Sequence, residues 1–261
     1  MKKVLVDLVV KEVQQVNANC VLLVMASETP FPDVRPGQFA ELRIDQTPTV
    51  VLRRPISVHS FNAEENEIGF LVQVVGDGTK WLGSLKAGDK VNTLLPLGNG
   101  FTMPVEAGKK YLLVGGGVGS APLYYLAEEL KKGGHEFAIL IGARSAKDLY
   151  RREAYEALGR VEYTTEDGSL GEKGYVTNHS LLAEKYDYIY TCGPKPMMMA
   201  VARYARENGI ACEVSLENKM ACGLGACLCC VEDTKEGHKC VCTDGPVFSI
   251  DELKWERQML K

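Results

Sequence analysis

The chain has 261 residues, of which 46% are hydrophobic and 25% are charged, and its formal net charge is -4 at pH 7. This length exceeds a typical single domain, so we expect two domains with one small appended module. The negative charge gives no basis for a nucleic-acid partner. Asp7, Lys11 and Glu12 interrupt the apolar N-terminal run, so we expect neither a signal peptide nor membrane insertion there.

Residues up to about 100 read as short strands separated by turn residues, without the spacing of long helices. The predicted strands span residues 4–16, 20–26, 39–44, 50–57, 68–75 and 90–95. One helix is predicted over residues 79–85. Six strands of this kind predict a closed antiparallel barrel. The following segment, residues 97–108, is rich in glycine and proline, which is typical of a linker.

Two short motifs in the predicted barrel suit a flavin dinucleotide. The sequence RRPIS ends a predicted strand, and GDGTKWL begins the helix. The pyrophosphate of such a ligand needs a cation and helix-terminal amides, which Arg54, Gly78 and Thr79 can supply. The isoalloxazine edge needs strand backbone, for which Ile56 and Ser57 are candidates. An ordinary strand edge and an ordinary helix cap give the same two patterns, so each motif alone has a purely structural alternative.

From residue 111 the pattern changes to strands and helices in alternation. The predicted strands span residues 111–114, 137–141, 161–165 and 188–191, and the predicted helices span 120–132, 146–158, 178–184 and 196–207. This alternation predicts βαβ units on a parallel, Rossmann-like sheet that is covered on both faces.

Two loops of this second domain are candidate nucleotide contacts, because ligands of open α/β sheets bind at the carboxyl ends of the strands. The first is LLVGGGVGSAP, in which a glycine run exposes backbone amides to a phosphate at a helix start. Its candidate residues are Gly115, Gly116, Gly117 and Gly119. The second is TCGPKPM, where Cys192, Gly193 and Pro194 follow a strand and Cys192 is expected near a nicotinamide. The alternatives are a tight structural turn for the first loop and a buried core cysteine for the second.

Six of the nine cysteines lie between residues 222 and 242, which is not the distribution of a disulfide framework. Their clustering indicates a metal centre in a reducing compartment, for which we expect a cytoplasmic location. Four cysteines have the plant-type 2Fe-2S spacing, C-x4-C-x2-C with a distant fourth member. They are Cys222, Cys227, Cys230 and Cys242. Gly223 and Gly225 in this loop let backbone amides approach the sulfurs closely.

The remaining clustered cysteines, Cys229 and Cys240, leave two questions open. Cys240 is an alternative fourth ligand, and we assign Cys242 because the turn-like sequence TDGP follows it directly. A structural zinc site built from one C-x2-C pair and one C-x-C pair is also compatible with the spacing. Zinc would not require Cys222 or its neighbouring glycines, so we favour the iron-sulfur interpretation.

Taken in this order, the motifs resemble those of the ferredoxin reductase superfamily, in which a flavin barrel precedes a nucleotide domain with GGG-x-G-x-A-P and CGP-x-x-M. The runs MACGLGACLCC and CTDGPVF after the nucleotide domain look like the family of electron-transfer subunits of NAD-dependent, type B dihydroorotate dehydrogenase. The resemblance covers essentially the whole chain. It implies an FAD-binding barrel over residues 1–100, an NAD-binding domain over 108–211 and a 2Fe-2S module over 212–261.

The resemblance also implies roles for individual residues. It maps the FAD motif onto Arg54, Pro55, Ile56 and Ser57, a middle strand segment onto Leu71, Val72 and Gln73, and the pyrophosphate turn onto Gly78 and Thr79. It maps the cluster ligands onto the four cysteines with plant-type spacing. Ile56 stands where the wider superfamily has an aromatic residue, so flavin stacking by this side chain is not implied.

The function implied is electron transfer from the FMN of a separate dihydroorotate dehydrogenase catalytic subunit, through 2Fe-2S and FAD, to NAD+ in pyrimidine biosynthesis. The assembly implied is a heterotetramer with two copies of each chain, and no catalytic acid, base or nucleophile is required of this one. Glu166 and Asp167 would repel a 2'-phosphate and so predict NAD over NADP. The nearby basic residues Lys147, Arg151 and Arg152 weaken this inference. The alternatives are the related subunit of a ferredoxin:NADP or sulfide-linked oxidoreductase, and a zinc-stapled nucleotide-binding module without a redox role.

Overall fold

The computed structural model describes residues 2–105 and 108–255. Residues 106 and 107 of the predicted linker and residues 256–261 of the predicted third module lie outside this range. No helix in the part described is long and apolar enough to cross a bilayer. None of the nine cysteines forms a disulfide.

The first part of the chain is a closed antiparallel barrel with the strand order β1-β2-β5-β4-β3-β6. Its strands are β1 (Val4–Asn17), β2 (Cys20–Ala26), β3 (Phe39–Leu42), β4 (Arg54–Asn62), β5 (Glu67–Gln73) and β6 (Lys90–Leu97). A short helix, α1 (Asp77–Gly83), connects β5 to β6. Inward-facing apolar side chains such as Leu23, Val58 and Phe70 are fully buried and fill the barrel. The predicted six-stranded barrel is confirmed.

The fourth strand does not occupy residues 50–57 as predicted, because it begins at Arg54 and ends at Asn62. β3 ends at Leu42, which is paired with Arg54, so residues before Arg54 have no neighbouring strand to pair with. Val51 is 90% exposed as a result. The apolar run before Arg54 therefore lies outside the barrel and forms no strand, although its sequence is typical of one.

The second part of the chain is a sheet with the strand order β10-β9-β8-β7-β11-β12-β15. Its first six members in chain order are β7 (Lys110–Gly116), β8 (Glu136–Ala143), β9 (Arg160–Thr165), β10 (Glu172–Lys173), β11 (Tyr188–Cys192) and β12 (Ala211–Ser215), all parallel. The helices are α2 (Ala121–Lys132), α3 (Arg152–Glu156) and α4 (Lys195–Glu207). The predicted parallel sheet is thus confirmed, with β10 and β12 as further strands.

Two predicted helices are wrong in form. The helix predicted over residues 146–158 is a 3-10 turn, Ala146–Asp148, followed by α3, because Arg151 adopts a left-handed φ of 52° and breaks the path. The helix predicted over 178–184 is two 3-10 turns, Val176–Asn178 and Ser180–Ala183. His179 between these turns is extended, and its ring nitrogen accepts a hydrogen bond from the amide of Leu181.

The third part packs on the end of the parallel sheet. β13 (Val231–Thr234) and β14 (Gly237–Cys240) form a hairpin, and β15 (Val247–Ser249) pairs antiparallel with β12. Trp255 is fully buried in the core that this part shares with the parallel sheet. The division at residue 211 stays a proposal, since both sides of it contribute to one sheet.

The predicted linker is held by the second and third parts of the chain. Asn99 forms a β-bridge with Pro246. The hydroxyl of Thr102 donates to the Glu213 carboxylate at 2.6 Å, and Tyr190 donates to the carbonyl of Thr102 at 2.7 Å. Residues 99–102 are thus anchored rather than free.

His59 joins the barrel to the nucleotide domain. This β4 residue is fully buried, stacks on Tyr124 and donates through Nδ1 to the Ala121 carbonyl at 2.8 Å. Its Nε2 contacts the guanidinium of Arg151. Since arginine only donates, Nε2 accepts and the ring is neutral. Burial first, and then the charge of Arg151, lower the His59 pKa to about 3.

We expect His59 to make the protein less stable in acid. An unfolded histidine binds a proton below about pH 6.5, whereas folded His59 does so only near pH 3, so its contribution to stability falls as pH drops through this window. The contribution lost between pH 7 and 5 is about 2 kcal/mol. Glu41, whose pKa burial raises to about 7, titrates there with the opposite sign. The free energy of unfolding by denaturant is therefore measured at both pH values for the wild type and for His59→Gln, and the difference between their changes with pH gives the contribution of His59. An equal change with pH in the two proteins would contradict this expectation.

Candidate cofactor sites

The predicted flavin strand has an open backbone edge. β4 pairs with β5 only from Val58 onward, and β5 pairs with β4 only as far as Phe70. Residues 54–57 therefore pair with β3 alone, and residues 71–73 pair with β2 alone. The two open edges flank one gap in the barrel wall. Strand amides and carbonyls that lack a ladder partner suit the hydrogen-bonding edge of an isoalloxazine ring, so both segments implied by the resemblance lie where a flavin fits.

Arg54 lies against the first turn of α1. A Cβ atom at Gly78 would be only 2.7 Å from Arg54 Nε, so glycine is what allows the guanidinium to come this close. Arg54 Nη1 donates to the carbonyls of Leu52 and Arg53. The Thr79 hydroxyl accepts from the amides of the preceding turn and donates to the Gly76 carbonyl. The cation and the helix start therefore come together as predicted, while the Thr79 side chain serves mainly as a cap.

Ile56 packs on the barrel core as a half-buried residue. It lies opposite Ala40, and Ser57 lies opposite Phe39, in the β3–β4 ladder. An aliphatic side chain turned to the core leaves the residue's backbone as its main means of contacting a flavin. The sequence-based expectation of backbone contact without stacking is compatible with this geometry.

A cavity of about 780 Å³ lies at the carboxyl ends of the parallel strands. Of the predicted residues, the cavity is lined by Gln73, Gly116, Gly117, Gly119 and Pro194. The glycine turn forms a 3-10 turn, Gly117–Ser120, that leads into α2. A cavity at the carboxyl ends of parallel strands, with a glycine turn at a helix start, is the expected form of a dinucleotide site.

Three other predicted residues pack behind the cavity wall and do not line the cavity. Gly115 packs against Ser120, and Gly193 touches Gly119. Cys192 is 1% exposed and belongs to the apolar core, with its thiol 3.8 Å from a carboxylate oxygen of Glu217. A direct contact of Cys192 with a nicotinamide stays a prediction. Sequence reasoning missed Glu217, which follows β12, and named Met197, which follows β11, only as the last residue of the TCGPKPM motif; both line the cavity.

Glu166 and Asp167, which were predicted together, have different surroundings. Glu166 lines the cavity near Arg144. Asp167 instead accepts hydrogen bonds from the hydroxyl and amide of Ser169, which lower its pKa. The charge that can meet a ribose substituent in the cavity is therefore that of Glu166.

We expect Glu166→Gln to raise the preference for NADPH relative to NADH, because a carboxylate repels a 2'-phosphate. The loss of one exposed like-charge contact should change the ratio of the two kcat/KM values by about fivefold, on the order of 1 kcal/mol. Asp167→Asn is the matched control and should leave the ratio unchanged. Steady-state kinetics with an artificial acceptor measures both variants. Equal effects of the two substitutions would contradict the assignment of the cavity's ribose end.

The cysteine loop surrounds its sulfurs with backbone amides. Gly223 and Gly225 have φ values of 66° and 79°, which turn the Leu224 amide toward Cys222 Sγ at 3.3 Å and the Gly225 amide toward Cys242 Sγ at 3.1 Å. The Leu224 amide is the main reason that the pKa of Cys222 falls to about 6. Amides directed at thiolates are what an iron-sulfur cluster needs.

The four predicted ligands come in two pairs. Cys227 lies close enough to Cys222 to help lower the pKa of its thiol, and the backbone amide of Cys242 donates to Cys230 Sγ at 3.4 Å. Among residues 2–105 and 108–255, no three His, Cys, Asp or Glu side chains meet around one ion position. Two sulfur pairs suit two irons better than the single tetrahedral ion of a zinc site. Cys240, whose thiol faces the Gly225 carbonyl at 3.9 Å, belongs to neither pair.

Glu41 lies where the flavin strand meets the cysteine loop. It is opposite Pro55 in the β3–β4 ladder, and a Cβ at Gly223 would be 2.9 Å from its Cγ. Its side chain is fully buried, and neither carboxylate oxygen has a hydrogen-bond partner in the described residues. Burial raises the Glu41 pKa to about 7, against the attraction of Arg53. The two candidate cofactor sites are therefore adjacent.

Comparisons with known proteins agree with this geometry. The iron-sulfur cluster binding domain of dihydroorotate dehydrogenase B matches residues 217–254, and the oxidoreductase NAD-binding domain matches residues 113–203. The structure of an NADH-dependent reduced ferredoxin-NADP oxidoreductase is similar, with a TM-score of 0.85 and 31% identity over 97% of this chain and 91% of that one. A ferredoxin reductase of carbazole 1,9a-dioxygenase, 22% identical with a TM-score of 0.69 over 80% and 67% of the two chains, shares the fold.

The fold and its sites define an iron-sulfur flavoprotein of the ferredoxin reductase type, with FAD, a 2Fe-2S cluster and an NAD-binding domain. The electron transfer subunit of dihydroorotate dehydrogenase B (NAD(+)) from Caldanaerobacter subterraneus is 44% identical over 84% of this chain and 86% of that protein. Its counterpart from Shouchella clausii is 38% identical over 88% and 91%. The chain belongs to this family of electron transfer subunits. The zinc hypothesis is wrong, and the ferredoxin:NADP alternative has only the lower identity of 31%.

Proposed function

We propose that this chain exchanges electrons between an FMN-containing dihydroorotate dehydrogenase subunit and NAD(H), in a heterotetramer with two copies of each chain. The observation that carries the proposal is the adjacency of the flavin gap and the cysteine loop through Glu41, Pro55 and Gly223. When bound, FAD and 2Fe-2S together convert single electrons into the hydride that nicotinamide accepts. Relatives named as electron transfer subunits support a separate catalytic partner.

The residues that hold each group follow from the geometry above. Arg54 and the start of α1 bind the flavin pyrophosphate, and the open strand edges orient the ring. The four paired cysteines hold the cluster, with Cys242 as the fourth ligand because its sulfur is buried and paired with Cys230. The glycine turn after β7 binds the NAD pyrophosphate.

The exposed side of the cysteine loop is the proposed docking face for the catalytic subunit. Cys227 is exposed, and the large apolar side chains of Leu224 and Leu228 beside it are 49% and 66% exposed. Apolar residues next to a redox site suit a partner that must approach the site closely. We also propose a cytoplasmic location, because nine cysteines without a disulfide are typical of a reducing compartment.

Reconstitution tests this function. The chain is purified together with an FMN-containing dihydroorotate dehydrogenase catalytic subunit from the same organism, and NADH formation from dihydroorotate and NAD+ is followed anaerobically. We expect a complex with the mass of two copies of each subunit, and NADH formation only when both are present. A catalytic subunit that reduces NAD+ equally well alone would contradict the proposal. Recovery of a large multi-cluster partner instead would favour the ferredoxin- or sulfide-linked alternative.

A further inference from the structure

Glu232 is a buried acid of the third part of the chain, and both of its carboxylate oxygens are bound. It lies on β13, two residues after Cys230, and is 8% exposed. Lys195 Nζ donates to Oε1 at 3.1 Å, and Asn218 Nδ2 donates to Oε2 at 3.0 Å. The indole N–H of Trp255 also reaches Oε1, at 3.5 Å. Donors on both oxygens hold this carboxylate in one orientation.

The first two donors belong to loops that form one end of the dinucleotide cavity. Lys195 is the first residue of α4 and stands between Pro194 and Pro196, which line the cavity. Asn218 directly follows Glu217, which lines the cavity as well. Residues that face the cavity thus alternate with residues whose side chains turn to the third part of the chain. A single carboxylate therefore holds both loops from outside the cavity.

The ion pair between Lys195 and Glu232 differs from an ordinary surface pair. The Glu232 side chain is only 9% exposed, although that of Lys195 is 45% exposed. Lys195 Nζ also lies 5.8 Å from the centroid of the Trp255 ring, which is fully buried. Loss of Lys195 would leave a nearly buried carboxylate without its cation, which costs more than the loss of an exposed pair. The two loops and β13 are therefore firmly connected.

The hairpin that carries Glu232 begins and ends at the cysteine loop. β13 starts directly after Cys230, and β14 ends two residues before Cys242. The Val241 amide donates to the Cys230 carbonyl at 3.0 Å. Two of the four proposed cluster ligands therefore lie at the open end of this hairpin. Because metal binding is coupled to the folding of the segments that carry its ligands, a bound cluster fixes that end.

We infer that Glu232 is a positioning residue that couples dinucleotide binding to the cysteine loop. The inference rests on the proposed NAD site. A ligand that fixes the two cavity loops also fixes Glu232 and its hairpin, and a fixed hairpin holds the loops in turn, because coupling between two sites is reciprocal. This link between the NAD site and the cluster does not pass through the flavin. Occupancy of the NAD site thereby stabilises the loop that carries the proposed docking face.

Hydrogen–deuterium exchange of the chain loaded with FAD and cluster tests this link without turnover. In the wild type we expect saturating NAD+ to slow exchange in the glycine turn, residues 117–120, and also in β13. The effect in β13 should be about fivefold, the lower end of typical coupling between two sites. Glu232→Gln should keep the protection of the glycine turn and lose that of β13, because a glutamine has no charge for Lys195 and one acceptor fewer.

Lys195→Met tests the same link from the other side of the ion pair. The partly exposed Lys195 side chain can be replaced with little change in packing, so this variant serves even if Glu232→Gln folds poorly. It should lose the protection of β13 to the same extent. The double variant should lose no more than either single variant, because the two residues act as one pair.

Asp233→Asn is the matched control. Asp233 is the next residue on β13, points to the opposite face and pairs with Lys254 at 2.8 Å. We expect this variant to retain the protection of β13 by NAD+. Visible absorbance of the flavin and the cluster and the melting temperature verify that each variant is folded.

Three results would overturn the inference while leaving the NAD site intact. They are a wild type in which NAD+ protects the glycine turn but not β13, a Glu232→Gln variant that keeps full protection of β13, and an equal loss in Asp233→Asn. Absence of protection in the glycine turn of the wild type would instead contradict the proposed NAD site itself.

Discussion

Replacing Cys227 with serine should abolish electron transfer to the catalytic subunit and remove the cluster's visible absorbance. Groups that only support a metal's ligands typically contribute 10- to 100-fold, so loss of a ligand should lower partner-dependent turnover by at least about 100-fold. The exposed position of Cys227 means that the substitution leaves the core unchanged. NADH oxidation by an artificial acceptor of flavin electrons should therefore persist. Visible spectra, iron content and the two activities measure this result.

Cys229→Ser provides the matched control for this experiment. Cys229 is also an exposed thiol, it lies two residues further along the same loop, and it belongs to neither sulfur pair. We expect this variant to retain its cluster and both activities. Unchanged partner-dependent turnover in Cys227→Ser, or equal loss in the two variants, would contradict the proposed ligand set.

Replacing Arg54 with alanine should weaken FAD binding strongly. The guanidinium lies against the first turn of α1, where a pyrophosphate would receive both a cation and helix amides. A charge-assisted hydrogen bond contributes about 1.5–3 kcal/mol, which corresponds to roughly a 10- to 150-fold rise in the dissociation constant. Fluorescence titration of the apoprotein with FAD measures this change.

Arg43→Ala is the control for Arg54. Arg43 is on the same barrel but forms an exposed ion pair with Asp45, away from α1. We expect its FAD affinity to match the wild type. If Arg54→Ala is purified with a full complement of FAD and binds it as tightly, Arg54 is misassigned.

Local patterns in the sequence were enough to predict the barrel and the parallel sheet. The apolar strand segments bounded by turn residues in the barrel and the strand–helix alternation after residue 111 reflect contacts that each element makes along its own length. The predictions that were wrong concern segments whose conformation depends on residues distant in the sequence. Arg151 breaks a helix because it reaches His59, 92 positions away, and the run before Arg54 is no strand because β3 is short. The pairing of β15 with β12 likewise depends on tertiary contact.

The candidate sites divide in the same way. The cluster ligands and the glycine turn can be recognised from short motifs, because the cysteine spacing and the position of the glycines after a strand are local features of the sequence. Glu41 and Glu217 have no such signal, because a lone glutamate at either position reads as a solvated charge. Their surroundings are created by β4, the cysteine loop and Cys192, which the fold brings together. A prediction of β12 as a parallel strand would have indicated Glu217 as a candidate, because ligands bind at the carboxyl ends of such strands.

The composition of the anaerobically purified chain tests the central claim most directly. Iron, acid-labile sulfide, zinc and flavin are determined on one sample, together with an electron paramagnetic resonance spectrum after reduction by NADH. The account predicts about two irons, two sulfides and one FAD per chain, with a reduced-cluster signal that appears on adding NADH. Zinc without iron or sulfide, or a chain that takes up no flavin, would contradict it.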